Sequence, residues 1–262
     1  MSKVLILGAT GKLGAALRRY WAECPPAGLE PVWLSRADLE APVPEAAAVV
    51  ALWGVTQGAP DVLARNVALA EAARVLAKAA GAERVIHLSS AAVYGAERAA
   101  TEATALAPLG AYGQAKADME ARIALFGASP RNCVLRLANV AGCDSIFRTL
   151  AGGGVATLDR FEDGAGPRRS YIGVAAFGAV LEALLALPLA ELPPVLNVAQ
   201  PEAVGMEEIV SAAGAELAWV PARAGAVQDV TLDVSALSAL VALPEAQAGA
   251  LVAGWKRYGG WA

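Results

Sequence analysis

The sequence predicts an α/β fold, a doubly wound parallel sheet, and three observations carry that prediction. Short apolar runs recur through the first 140 residues, and stretches with helical spacing lie between them. The runs are continuous rather than alternating, as expected for strands buried on both faces. The first of them ends in a glycine turn that opens a helix.

Taken in order, residues 3–7 form a first strand stopped by Gly8, and residues 11–21 a first helix with Leu13, Leu17 and Trp21 on one face. Residues 31–35 and 48–52 read as the second and third strands. Residues 62–80 form a long helix with Asp61 as candidate N-cap. A strand over 84–88 ends in Ser89 and Ser90, a helix covers 109–125, and 133–137 is again a strand. After Val140 the rhythm changes: residues 141–170 are rich in Gly, Arg and Asp and carry no long periodic element. A helix at 174–187 and a strand at 195–198 restore the pattern; from Pro201 onward short helices lead to a tryptophan-bearing tail. This organisation divides the chain into a core of 1–140, to which 171–198 return, and a small C-terminal α+β substrate-binding region of 141–170 and 199–262.

Composition bounds the function. With 262 residues, 56% hydrophobic and 18% charged, the chain buries a large core and is not disordered. A net charge of -4 without a Lys/Arg cluster excludes a nucleic-acid partner. No apolar stretch approaches the roughly 18 residues of a membrane span, so no membrane partner is expected. Residues 1–8 are too short for a signal peptide, and Cys24, Cys133 and Cys143 match no metal or redox spacing, which together imply reduced thiols and a cytoplasmic location. The apolar excess belongs to the interior and allows a homodimer. With His87 the only histidine, on a strand that reads as buried, a packed imidazole is expected rather than a metal site.

Gly8-Ala9-Thr10-Gly11-Lys12-Leu13-Gly14 follows the first strand directly. In a Rossmann-type fold such glycines permit a tight turn, let a pyrophosphate approach backbone N–H groups, and allow close helix–strand packing. A phosphate loop of the other common kind is excluded, since Ile6 and Leu13 stand where it needs Gly and Ser/Thr. A carboxylate at the end of the second strand would bind a ribose 2′-hydroxyl. Ser35 stands there, and Arg36 after it suits a 2′-phosphate, which favours NADP over NAD; Asp38 is the acid still within reach of the ribose.

Tyr112-Gly113-Gln114-Ala115-Lys116 sets a phenol and an ammonium four apart, on one helix face. Using a phenol near pH 7 requires lowering its pKa by about 3 units, or ~4 kcal/mol. A cation ~4 Å away at an effective dielectric of ~20 supplies that much, while burial pushes the other way. Upstream, His87-Leu88-Ser89-Ser90-Ala91-Ala92-Val93-Tyr94-Gly95 ends a central strand, where ligands bind in open α/β sheets.

With GATGKLG, LSSAAVYG and YGQAK in this order, the chain resembles the extended short-chain dehydrogenase/reductase family, in its NAD-dependent epimerase/dehydratase branch. Further similarity lies in Arg136-Leu137-Ala138-Asn139-Val140, in Arg168-Arg169-Ser170-Tyr171-Ile172-Gly173-Val174, and in Leu196-Asn197-Val198. The resemblance implies an NAD(P)-dependent enzyme moving hydride at a carbonyl or alcohol carbon of a small-molecule substrate, a sugar or nucleotide-sugar. Ser90 then polarises the substrate oxygen, with Ser89 competing for that role. Tyr112 is the general acid/base, and Lys116 its electrostatic partner and ribose ligand. Gly8, Thr10, Gly11, Lys12, Leu13, Gly14, Ser35, Arg36, Leu52, Trp53 and Gly54 join Tyr112 and Lys116 on the cofactor. Ser89, Tyr94, Asn139 and Arg169 are assigned to the substrate.

The stretch between Arg36 and Val49 is short, so one strand–helix unit usual in that family is trimmed. Glu97, Glu102, Asp118 and Glu120 are expected on solvated faces. The alternative function is a non-catalytic NAD(P)-binding module for redox sensing or assembly, which the joint presence of Ser90, Tyr112 and Lys116 weakens.

Overall fold

The computed structural model describes residues 1–35, 38 and 42–259. Six parallel strands form the main sheet: β1 (Ser2–Leu7), β2 (Leu29–Leu34), β3 (Ala48–Ala51), β4 (Arg84–Ser90), β5 (Arg131–Leu137) and β9 (Val195–Val198). Their order, β2-β1-β3-β4-β5-β9, reverses direction at β1, which makes a Rossmann-type sheet with its switch point between β1 and β3. Within β1, Val4 and Ile6 enter the core under helices α1 (Lys12–Glu23) and α6 (Val174–Ala186). Leu5 and Leu7 point to the other face, under α3 (Arg65–Ala79). This alternation is why the strand reads as a continuous apolar run.

Small side chains set the helix–sheet distances. Ala70, Ala73 and Ala77 of α3 are fully buried, so its backbone lies close to the sheet. Strand β2 lies at the edge of this sheet, where Pro31 is tolerated because an edge residue need not donate outward. The expected helix over 62–80 is two: α2 (Pro60–Leu63), then α3. Asp61 is not its N-cap. Ala59 holds that place, Pro60 opens the helix, and Asp61 sits in the first turn, where its charge still favours the helix dipole. Helix α4 (Ala111–Ala124) packs beside α3.

After β5 the chain leaves the main sheet. A two-residue strand β6 (Asn139–Val140) leads to α5 (Ser145–Ala151) and β7 (Ala156–Arg160), two short elements inside the stretch expected to hold no long one. Strand β8 (Arg168–Ile172) pairs with β6, β10 (Ala203–Gly205) and β12 (Asp229–Val230), while β7 pairs with β11 (Leu217–Pro221). Helix α7 (Met206–Ala213) covers this smaller region, α8 (Ser235–Ser238) touches β9, and α9 (Ala248–Tyr258) closes the described chain. A second core gathers there around Phe147, Tyr171, Ile209 and Leu251. Among the described residues no helix is long and apolar enough to cross a membrane.

Candidate active site

A cleft of about 620 Å³ opens at the carboxyl ends of β1, β3, β4 and β5, over the switch point. On its first wall are Gly8, Thr10, Gly11, Lys12 and Leu13. Gly8 has φ +91°, and a Cβ there would lie 2.7 Å from the Trp53 nitrogen. Gly14 does not line the cleft: a Cβ on it would lie 2.3 Å from the Gly8 carbonyl oxygen, so it serves close packing of turn and helix. The N-cap of α1, Gly11, offers no side-chain acceptor and the first turn holds no acid. The positive end of a 12-residue helix whose N-cap has no side chain suits an anion.

Ser35, Leu52, Trp53 and Gly54 continue the wall. Asp38 accepts hydrogen bonds of 2.6 Å from both the Ser35 N–H and its hydroxyl, which hold its carboxyl below the usual range. Arg36 lies outside the described residues. Gly54 allows a close approach, since a Cβ there would be 3.2 Å from both Asn66 Oδ1 and Lys116 Nζ.

Ser89, Ser90, Tyr112 and Lys116 line the cleft from β4 and α4. The two serines are not equivalent. Ser90 acts on the Tyr112 phenol by a hydrogen bond that lowers its pKa, against burial, which raises it more. Ser90 Oγ also accepts from the Ala92 N–H at 3.2 Å. Ser89 donates its hydroxyl to the buried Glu120 carboxylate. Lys116 is 3% exposed, donates to the Leu88 carbonyl at 2.8 Å, and is pushed down to about 8 by burial, with Glu120 pulling it back up. On the phenol itself burial pulls up and Ser90 pulls down, while the Lys116 ammonium is turned onto the Leu88 backbone carbonyl.

On the far wall Asn139 donates to Asp144 at 3.0 Å. Asp144 also accepts from the Tyr171 hydroxyl at 2.8 Å and the Phe147 N–H at 3.1 Å; burial still raises its pKa. Sequence reasoning missed Asp144, Cys143 and Thr56 as lining residues. Burial pushes the Cys143 thiol up to about 12.

Two substrate assignments need correction. Tyr94 is 1% exposed and lies beneath the cleft, donating to Asn197 Oδ1 at 2.7 Å and accepting from Arg136 at 2.8 Å. Arg169 does not line the cleft: its guanidinium donates to the carbonyls of Arg168, Val227 and Gln228. Among the acids expected on solvated faces, Glu97 and Asp118 are exposed. Glu120 is buried against Arg136 at 2.8 Å, and Glu102 accepts from the Asn197 N–H at 2.8 Å. His87 is a packed imidazole, bonded to Asn132 at 3.0 Å and pushed down to about 4 by burial.

Residues 42–149 match the NAD dependent epimerase/dehydratase family. The matched residues hold LSSAAVYG and YGQAK; GATGKLG lies before them. No curated protein matches the chain. Among solved structures, MoeE5 in complex with UDP-glucuronic acid and NAD superposes with a TM-score of 0.75 at 22% identity, over 97% of this chain and 99% of that one. UDP-N-acetylglucosamine 4-epimerase from Methanobrevibacter ruminantium gives 0.76 at 17% identity, over 97% and 98%. The dTDP-glucose 4,6-dehydratase DesIV from Streptomyces venezuelae gives 0.74 at 19% identity, over 99% and 98%. At these identities the likeness establishes the fold.

Proposed function

We propose that this protein is a nicotinamide-dinucleotide-dependent oxidoreductase or epimerase, acting at a carbonyl or alcohol carbon of a sugar or nucleotide-sugar. The observation that carries this reading is the meeting of Ser90, Tyr112 and Lys116 in one cleft with the glycine turn that opens α1. The match to the epimerase/dehydratase family over 42–149 supports it, as do the NAD-bound nucleotide-sugar enzymes of the same fold.

The cradle fits a dinucleotide. Gly8 and Gly14 keep the turn tight, and Gly11, Lys12 and Leu13, which open α1, line the cleft where a pyrophosphate would meet their backbone. A dinucleotide held there would supply the hydride acceptor or donor. Ser90 Oγ hydrogen-bonds the reacting substrate oxygen and holds Tyr112 in register. Tyr112, as the phenolate, takes the proton of that oxygen on oxidation, and as the phenol returns it on reduction. Lys116 lies against the cofactor side of the cleft and contributes positive charge near the phenol. Asn139 and Asp144 orient the substrate from the opposite wall. Elimination of water would call for further acid/base groups, and Asp144 is the sole carboxyl among the described lining residues, already taking three hydrogen bonds. This favours simple hydride exchange over dehydration.

The NADP expectation rested on Ser35 in place of an acid and on Arg36 after it. The ionised Asp38 carboxylate, fastened to the cleft residue Ser35, disfavours a 2′-phosphate and turns the preference to NAD. Comparing NADH with NADPH tests this: Asp38→Asn is expected to narrow an NADH preference by about 10–100-fold, the worth of one charged hydrogen bond. An initial preference for NADPH would overturn it.

The central test follows reduced-cofactor absorbance across a panel of sugars and nucleotide-sugars. Tyr112→Phe is expected to lose turnover while cofactor binding stays; retained turnover sinks the assignment. Cofactor binding with no turnover on the whole panel would favour the non-catalytic module.

A further inference from the structure

We infer that Glu120, locked by Arg136 one helical turn beyond Lys116, is a positioning residue that keeps the Lys116 side chain a cation and turns Ser89 away from the substrate. The inference rests on the reading of Ser90, Tyr112 and Lys116 given above.

Tyr112, Lys116 and Glu120 stand at i, i+4 and i+8 of α4, so all three share one face. Glu120 is 8% exposed. Its Oε2 accepts from Arg136 Nη2 at 2.8 Å and Nε at 3.0 Å, and its Oε1 accepts the Ser89 hydroxyl. Arg136 is held in turn by the Tyr94 hydroxyl at 2.8 Å and the Glu102 carbonyl at 3.0 Å. The carboxylate therefore has one fixed position below the cleft floor.

A buried ion pair is a poor device for stability alone, because apolar residues of similar volume do that work as well or better. Its place one helical turn beyond the lysine points to another use. Burial disfavours the Lys116 ammonium, and the groups touching it are neutral: the Leu88 carbonyl and, at 3.9 Å, the Met119 sulfur. From the surrounding elements face Tyr112 on the same helix, His87 on β4 and Asn66 on α3, with Arg136 of β5 beyond, bound to Glu120. None of these is an anion at neutral pH. Among the described residues, Glu120 is the negative group acting on Lys116, and it acts to keep the ammonium charged.

The experiment follows the Lys116 side chain by nitrogen NMR as pH rises, beside the pH profile of kcat/KM. Glu120→Gln is expected to lower the Lys116 midpoint by about one unit or more, a tenfold loss of charged lysine on the alkaline side. The alkaline limb of kcat/KM should move with it. Glu120→Asp, which keeps the charge, should titrate near the wild type. If Glu120→Gln does not fold, Glu120→Gln with Arg136→Met should still lower the Lys116 midpoint, but by less than one unit, because the Arg136 cation leaves with the Glu120 anion. An unmoved midpoint, with only thermal stability lost, overturns the inference and leaves a structural pair. Should the wild type turn over no substrate, the NMR titration still decides the role of Glu120, and that failure belongs to the functional reading alone.

Discussion

His87 shows how burial at one residue becomes a pH dependence of the whole molecule. Its imidazole is 1% exposed and its pKa is depressed from 6.5 to about 4, chiefly by desolvation. The native state therefore resists a proton that the unfolded chain accepts. Stability is full above about pH 6.5 and falls as pH drops towards 4, by roughly 3 kcal/mol in all. As the only histidine, its ring protons give an unambiguous NMR titration. Urea unfolding at pH 7 and pH 4.5 should show the loss, and His87→Gln should flatten it; a ring titrating near 6.5 would contradict the account. At this scale the sequence was legible only where one periodicity decides. Tyr112 and Lys116 could be paired because four residues return a helix to the same face. Glu120 obeys the same spacing, but its burial depends on Arg136, on a strand 16 residues later, and no local pattern reports that partner. Ser89 and Ser90 alternate across β4, so one must point away from Tyr112, but only the packed structure says which.

At the scale of elements, the decisive contact is the seating of α4 on the 3₁₀ turn Ala91–Tyr94 that follows β4. Gly113 makes it possible: a Cβ there would lie 2.5 Å from the Ala92 carbonyl oxygen and 3.0 Å from Pro108 Cβ. Gly113→Ala must lift the start of α4, which carries Tyr112 and Lys116. A shift near 1 Å costs on the order of 10²-fold in turnover, so kcat should fall by about that much, with cofactor affinity at the α1 turn retained. Gly254→Ala is the control, since that glycine inside α9 has open space around it. There the same substitution should stabilise by about 0.5–1 kcal/mol, as an ordinary helix interior does. Equal effects at both sites would refute the packing argument. The main elements were legible because strands buried on both faces and amphipathic helices have different periods. Those of 141–170 were not, because α5 and β7 are too short to show a period and are fixed by contacts with α7 and β11.

At the scale of the whole molecule, the last helix joins the two cores. Leu251, Val252 and Trp255 of α9 pack in the smaller core, with the Trp255 ring 5.2 Å from Phe147. One turn on, Tyr258 packs in the main core, 5.4 Å from Tyr20, and Arg19 of α1 donates to the Tyr258 carbonyl at 2.7 Å. The tryptophan-bearing tail thus covers the molecule's own interior. Trp255 also backs the cleft, because Gly142 lies against its ring: a Cβ on that glycine would be 2.7 Å from Trp255 Cδ1, and Cys143 and Asp144 follow it on the far wall. Trp255→Ala should therefore act twice. The lost contacts of a half-buried tryptophan cost roughly 2–4 kcal/mol, which lowers Tm by about 4–16 °C for a chain of this size. The loosened far wall should raise KM for substrate, while cofactor affinity, set by the glycine turn across the cleft, holds. A variant with unchanged Tm would show that α9 does not join the cores, and one with cofactor affinity lost in step with KM would show that the two walls are not separate.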